Sequence, residues 1–208
     1  MTRTFLLSPA YAGGRRAQML LSERAEFHLA RRLRDAETVS LGEVFAFLSG
    51  LYFRGKLAYA NAFARPDRSR VLVITPTRGL VPAITPVTLS DLREFAEVDI
   101  EERDPRYRKP LERDLRRLVR RLSPQCEVVL LGSVATGKYL SVLLDILPER
   151  VRFPAEFVGR GDMSRGGLLL RCAVDGTELA YIPVQGAVRK GKRPPKLEPR
   201  HYLTRGRR

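Results

Sequence analysis

Short apolar runs, separated by glycine, proline and charge, set the rhythm of the chain. Residues 4–8, Thr4-Phe5-Leu6-Leu7-Ser8, read as a first strand stopped by Pro9. Over 17–34, Leu20, Leu21, Phe27, Ala30 and Leu33 recur at helical spacing and predict one amphipathic helix. Residues 41–48 predict a second helix closed by Ser49-Gly50, and a third runs through Tyr59 and Phe63. Val71-Leu72-Val73-Ile74-Thr75 is a buried strand. It enters Pro76-Thr77-Arg78-Gly79-Leu80-Val81-Pro82, where proline bars further ladder pairing and Gly79 permits a sharp reversal.

Ser90 is the expected N-cap of a short helix. Pro110 is expected in the first turn of another, with Leu111, Leu115, Leu118, Val119 and Leu122 as its apolar stripe. Residues 128–131 are a buried strand ended by Gly132, and Leu140, Leu143, Leu144 and Leu147 follow at helical spacing. Residues 150–154 read as a strand and 156–167 as a polar glycine loop. Apolar runs at 168–174 and 178–184 flank Asp175-Gly176, a hairpin signal. The pattern predicts an α/β fold: a three-layer sandwich with a mainly parallel central sheet and a C-terminal antiparallel hairpin.

At 208 residues and 44% hydrophobic, the chain suffices for one domain with an extension. That domain is expected over 1–186, and a basic, disordered tail over 187–208. From residue 189 onward nine lysines and arginines face Glu198 alone, which is more than half of the formal net charge of +15. Such a field favours nucleic acid or another polyanion, although an arginine-rich proteome also produces basic surfaces. Cys126 and Cys172 fall in apolar runs, so buried thiols and a reducing compartment are expected. With only His28 and His201, a Cys/His zinc site is not expected, and no metal or cofactor is assigned. No signal-peptide pattern and no membrane-spanning run occurs, so a cytoplasmic location is expected.

The chemistry is concentrated at loops. Gly132-Ser133-Val134-Ala135-Thr136-Gly137-Lys138 has the glycine and lysine spacing of a P-loop, but Tyr139 stands where a metal-binding hydroxyl belongs. No clear strand ending in a metal-binding Asp follows it, so triphosphate hydrolysis has little support. Two readings stay open: a helix N-terminus where Ser133, Thr136, Gly137 and Lys138 hold a phosphate, or a tight turn whose glycines serve geometry alone. Thr77 and Arg78 emerge at the carboxyl end of strand 71–75, the same sheet edge. Arg160, Asp162 and Arg165 in the late glycine loop are further candidates, with Asp162 as a catalytic base or a turn cap. Ser164 has no nearby histidine to activate it. Arg54 and Lys56 among Tyr52, Phe53 and Tyr59 suit either base stacking with a phosphate contact or core aromatics with snorkelling cations. Arg113, Arg116, Arg117, Arg120 and Arg121 form either a phosphate-gripping face or a solvated one.

Residues 51–60, the stretch from Thr75 to Pro82, and Val128-Val129-Leu130-Leu131-Gly132 together resemble a group of uncharacterised prokaryotic and phage domains. Those domains are similar to the uracil-DNA-glycosylase-like α/β domain of archaeosine-synthesis enzymes. The likeness covers roughly residues 1 to 170. It implies a three-layer α/β fold and a taste for nucleobases or nucleic acid. Glycosylases of that fold carry a water-activating Asp or Asn after the first strand and a histidine in a late loop. Neither occurs here, so ordinary uracil excision is not implied. The leading expectation is a nucleic-acid- or nucleotide-binding domain with a phosphate-accepting crevice. Alternatives are a nucleobase- or nucleoside-processing enzyme using Asp162, and a scaffold binding an acidic partner.

Overall fold

The computed structural model describes residues 2–64, 67, 70–135, 137–188 and 191–198. Among them one sheet is built from β1 (Arg3–Leu7), β2 (Val71–Thr75), β3 (Gly79–Pro82), β4 (Glu127–Leu131), β5 (Val151–Pro154) and β6 (Tyr181–Pro183). Its order is β3-β2-β1-β4-β5-β6. β1 pairs in parallel with both neighbours, Phe5 standing opposite Val71 and Val129. β4 and β5 are also parallel, whereas the edge strands β3 and β6 run antiparallel. The central strands carry unbroken apolar runs because both faces are covered: Phe5, Leu6, Leu7 and all of Val128, Val129, Leu130 and Leu131 are fully buried.

The helices are α1 (Arg15–Leu21), α2 (His28–Arg34), α3 (Leu41–Ser49), α4 (Leu51–Phe63), α5 (Leu89–Ala96), α6 (Pro105–Arg121), α7 (Gly137–Ile146) and α8 (Asp162–Asp175). The chain steps from β1 to β2 in one direction and from β4 to β5 in the other. Right-handed crossovers then place the intervening helices on opposite faces. Accordingly α4 rests on β1 and β2 and packs on α8, while α6 rests on β2 and β3 and packs on α7. Hence the three-layer α/β sandwich, with its mainly parallel sheet and C-terminal antiparallel pair, is the observed fold.

Several elements differ from their sequence signals. The helix expected over 17–34 breaks into α1 and α2, with extended backbone at Ser22 and Phe27. The break lets Phe27 stack on Phe47 of α3, ring centroids 5.1 Å apart. The reversal at Gly79 (φ 67°) does not end the ladder, because β3 pairs back along β2. Pro82 is tolerated there because β3 is an edge strand. Thr88, not Ser90, caps α5, its hydroxyl and the Asp91 carboxylate each accepting the other's backbone N–H. Asp104 caps α6, which leaves Pro110 inside the helix.

The largest correction concerns 156–174. Only Ala155–Phe157 forms a 3-10 turn, and from Asp162 onward the chain is helical. Asp175-Gly176 is a helix end, Gly176 taking left-handed φ 66° while its N–H bonds Cys172 O. The antiparallel C-terminal pair is therefore β5 with β6, Phe153 opposite Ile182, and not a hairpin of 168–174 with 178–184. Residues 191–198 lie along α8, where Arg171 Nη2 donates to Glu198 O at 2.5 Å. No helix among the described residues is long and apolar enough to cross a membrane.

Candidate functional site

β1 and β4 are neighbours whose chains depart in opposite directions, so their carboxyl ends part and leave a crevice. A cleft of about 690 Å³ occupies it. Ser8, Pro9, Ala10 and Tyr11 enter from the end of β1, and Ser133, Lys138 and Tyr139 from β4 and α7. Ser49, Tyr52 and Lys56 come from α3 and α4, Asp99, Ile100 and Glu101 from the segment before α6, and Asp162 from α8.

The floor is organised by Lys56, which is only 1% exposed. Its Nζ donates to Ser8 O at 2.7 Å and to Ser8 Oγ at 2.8 Å. It also stands 4.7 Å and 4.6 Å from the ring centroids of Tyr52 and Phe53. Burial pulls the Lys56 amine down to about 7, against the opposing charge of Asp162. Ser8 is fixed by its own backbone, whose N–H reaches Leu131 O at 3.1 Å and carries the β1–β4 ladder one residue further. Gly132 is required next to it. A Cβ there would stand 2.7 Å from both Ser8 Cβ and the Tyr139 hydroxyl. Tyr139 donates to Ser133 O at 2.8 Å, and burial pushes its phenol up to about 12 against the pull of the neighbouring Ser8 hydroxyl.

Tyr52 presents a different feature. Its hydroxyl is buried in the cleft wall and has no hydrogen-bond partner. Burial pushes this phenol well above its ordinary range. The Arg165 guanidinium opposes that rise through its charge and its nearby N–H groups, although none of them meets the Tyr52 hydroxyl in hydrogen-bond geometry. Leaving a buried hydroxyl without a hydrogen bond costs about 1–3 kcal/mol.

The sequence candidates divide sharply. Ser133, Lys138 and Asp162 line the cleft. Thr136 lies outside the described residues. Gly137 opens α7, but Glu102 already stands there: a Cβ on Gly137 would lie 3.2 Å from Glu102 Oε2, which accepts from Ser141 Oγ at 2.5 Å. The helix N-terminus expected to greet a phosphate thus faces a carboxylate of the chain itself. Thr77 and Arg78 do not join the cleft. Both bind Glu94, and Arg78 also pairs with Asp91 at 2.5 Å, which clamps the β2–β3 turn to α5. Arg160 turns away, donating to Ser164 Oγ at 3.1 Å and Pro195 O at 3.4 Å. Arg165 is buried behind the cleft, bonded to Phe157 O at 3.0 Å and to Asp162 at 3.3 Å. It positions Asp162 and presents no free charge to a ligand.

The aromatic and basic residues of α4 fit neither sequence alternative completely. Tyr52, Phe53 and Tyr59 are core aromatics, whereas Lys56 does not snorkel and ends at the cleft floor. The sequence pointed to Tyr52 and Lys56 only as one of two readings of α4, and it offered no site role for Ser8 or for Tyr139. The available signal was a lysine sharing the apolar face of α4 with Tyr52 and Tyr59. No group of three or more His, Cys, Asp or Glu side chains among the described residues is placed to hold a metal. No protein-family model, curated protein or solved structure matches the chain.

Proposed function

We propose that the cleft binds a nucleobase or nucleoside, free or carried by a nucleic acid, through its heterocycle rather than its phosphate. The observation that carries this reading is the unpartnered Tyr52 hydroxyl in the cleft wall. The charges of the lining agree with it. Two amines, Lys56 and Lys138, are outnumbered by Asp99, Glu101 and Asp162, a poor reception for a polyphosphate. A heterocycle offers both kinds of edge. Its N–H groups suit the carboxylates, its carbonyl and ring nitrogens suit Tyr52 and Lys138, and its face suits Tyr11. The resemblance to uracil-DNA-glycosylase-like domains favours the same ligand class.

Thermal melts against free bases, nucleosides and nucleotides test this. A base and its nucleoside are expected to raise the midpoint about as much as the nucleotide, and Asp162→Asn to reduce the shift. A shift seen only with phosphorylated compounds, and growing with phosphate number, would refute the reading.

A second reading has its own observation. Arg70, Arg113, Arg117 and Arg121 line a groove of about 620 Å³ between α6 and the β2–β3 hairpin, together with Asp67 and Asp114, which pair with the first three. There the basic field has a place to meet a phosphate backbone, apart from the cleft.

A further inference from the structure

Beyond binding, and whatever ligand fills the cleft, we infer that Ser8 is a nucleophile and Lys56 its general base, so that the protein cleaves a small carboxylic ester or thioester through a Ser8 acyl intermediate. The geometry is that of a hydroxyl–amine pair: Lys56 Nζ lies 2.8 Å from Ser8 Oγ and is held in place by Ser8 O at 2.7 Å. A buried lysine serving structure alone is ordinarily paired with a carboxylate. Lys56 forms no ion pair among the described residues, and its only side-chain hydrogen-bond partner is Ser8. Ser8 itself lines the cleft at 7% exposure. The groups facing the pair are Tyr52 and Phe53 from α4, Tyr139 from α7 and Asp162 from α8. Around neutral pH about half of the amine is unprotonated, because burial outweighs the opposing Asp162 charge.

Ser8 Oγ attacks the carbonyl carbon while its proton passes to the lone pair on Lys56 Nζ, and the carbonyl π electrons move onto oxygen. Collapse restores the carbonyl and breaks the bond to the alcohol or thiol, which takes the proton from Lys56. Water then attacks the Ser8 ester, giving its proton to Lys56, and Ser8 recovers a proton from Lys56 as the carboxylic acid leaves.

The test is labelling of the full chain with a small alkyl fluorophosphonate, read by peptide mass spectrometry. The expected adduct is on Ser8, with a rate that rises with pH through about 7. It is expected to vanish in Ser8→Ala and to fall roughly 10²-fold or more in Lys56→Met. Lys56→Arg should not restore it, since a guanidinium keeps its proton. Ser8→Cys treated with iodoacetamide reports access to the same position. Alkylation there without phosphonate labelling of the native protein would mean a reachable but unactivated hydroxyl, and would overturn the assignment. No alkylation at all would mean a closed site, and would overturn it equally. Loss of heterocycle binding with labelling intact would sink the binding proposal and leave this one standing.

Discussion

At the scale of single residues, two side chains in the cleft are held at a cost that sequence alone does not disclose. The Tyr52 hydroxyl is buried without a partner, so Tyr52→Phe is expected to stabilise the free protein by about 1 kcal/mol, read as a higher melting midpoint. A lower midpoint would mean that the hydroxyl has a partner in the free protein. Lys56 contributes a pH signature. Its folded value of about 7 lies below the ordinary 10.5, so between those values the unfolded chain binds the extra proton. The contribution of this group to stability therefore increases as pH rises from about 7 to 10.5, by at most about 1.4 kcal/mol per pH unit. Tyr52, Tyr107 and Tyr181 are raised above the ordinary 10.0, so their contribution is lost as pH climbs beyond it. Denaturant titrations across pH should show a rise toward pH 10 that Lys56→Met flattens. An unchanged slope would show that Lys56 keeps its charge in the fold.

At the scale of elements, the cleft depends on how α4 crosses α8. A Cβ on Gly55 would meet Gly166 O at 2.5 Å, and one on Gly166 would meet Leu51 O at 2.8 Å. Backbone touches backbone there, and this close approach sets Tyr52 and Lys56 of one helix beside Asp162 and Arg165 of the other. Gly55→Ala gains helix propensity but overpacks rigid backbone, so a net loss of about 2 kcal/mol is expected in denaturant melts. An unaffected midpoint would mean that the helices slide apart freely. The strands were legible in the sequence because a strand covered on both faces must be apolar throughout, as 71–74 and 128–131 are. Asp175-Gly176 misled because one dipeptide serves both a hairpin and a helix end. What decides between them is Gly166 against Gly55, a contact more than a hundred residues apart in sequence. Arg78 was legible as a cation at a strand end. Its capture by Asp91 and Glu94 was not, since nothing local fixes which way α5 turns its acids.

At the scale of the whole molecule, the net charge of +15 and the cleft are separate features. The cleft lies at the carboxyl ends of β1 and β4, whereas the arginine groove touches Thr4, Leu72 and Pro82 at the opposite end of the sheet. Composition made the basic field plain, but it carried no information about where the field lies. If the groove grips nucleic acid, replacing Arg113, Arg117 and Arg121 with Gln should flatten the dependence of log affinity on log salt by roughly 2–3, one phosphate contact for each arginine. An unaltered slope would place the contacts elsewhere. At the other end of the sheet, heterocycle binding in the cleft is tested by calorimetric titration of bases and nucleosides into the native protein and Tyr52→Phe. Binding should not need a phosphate and should weaken about tenfold when the hydroxyl is removed, with the fold intact. Equal affinity in both proteins, or binding by phosphorylated compounds alone, would contradict it.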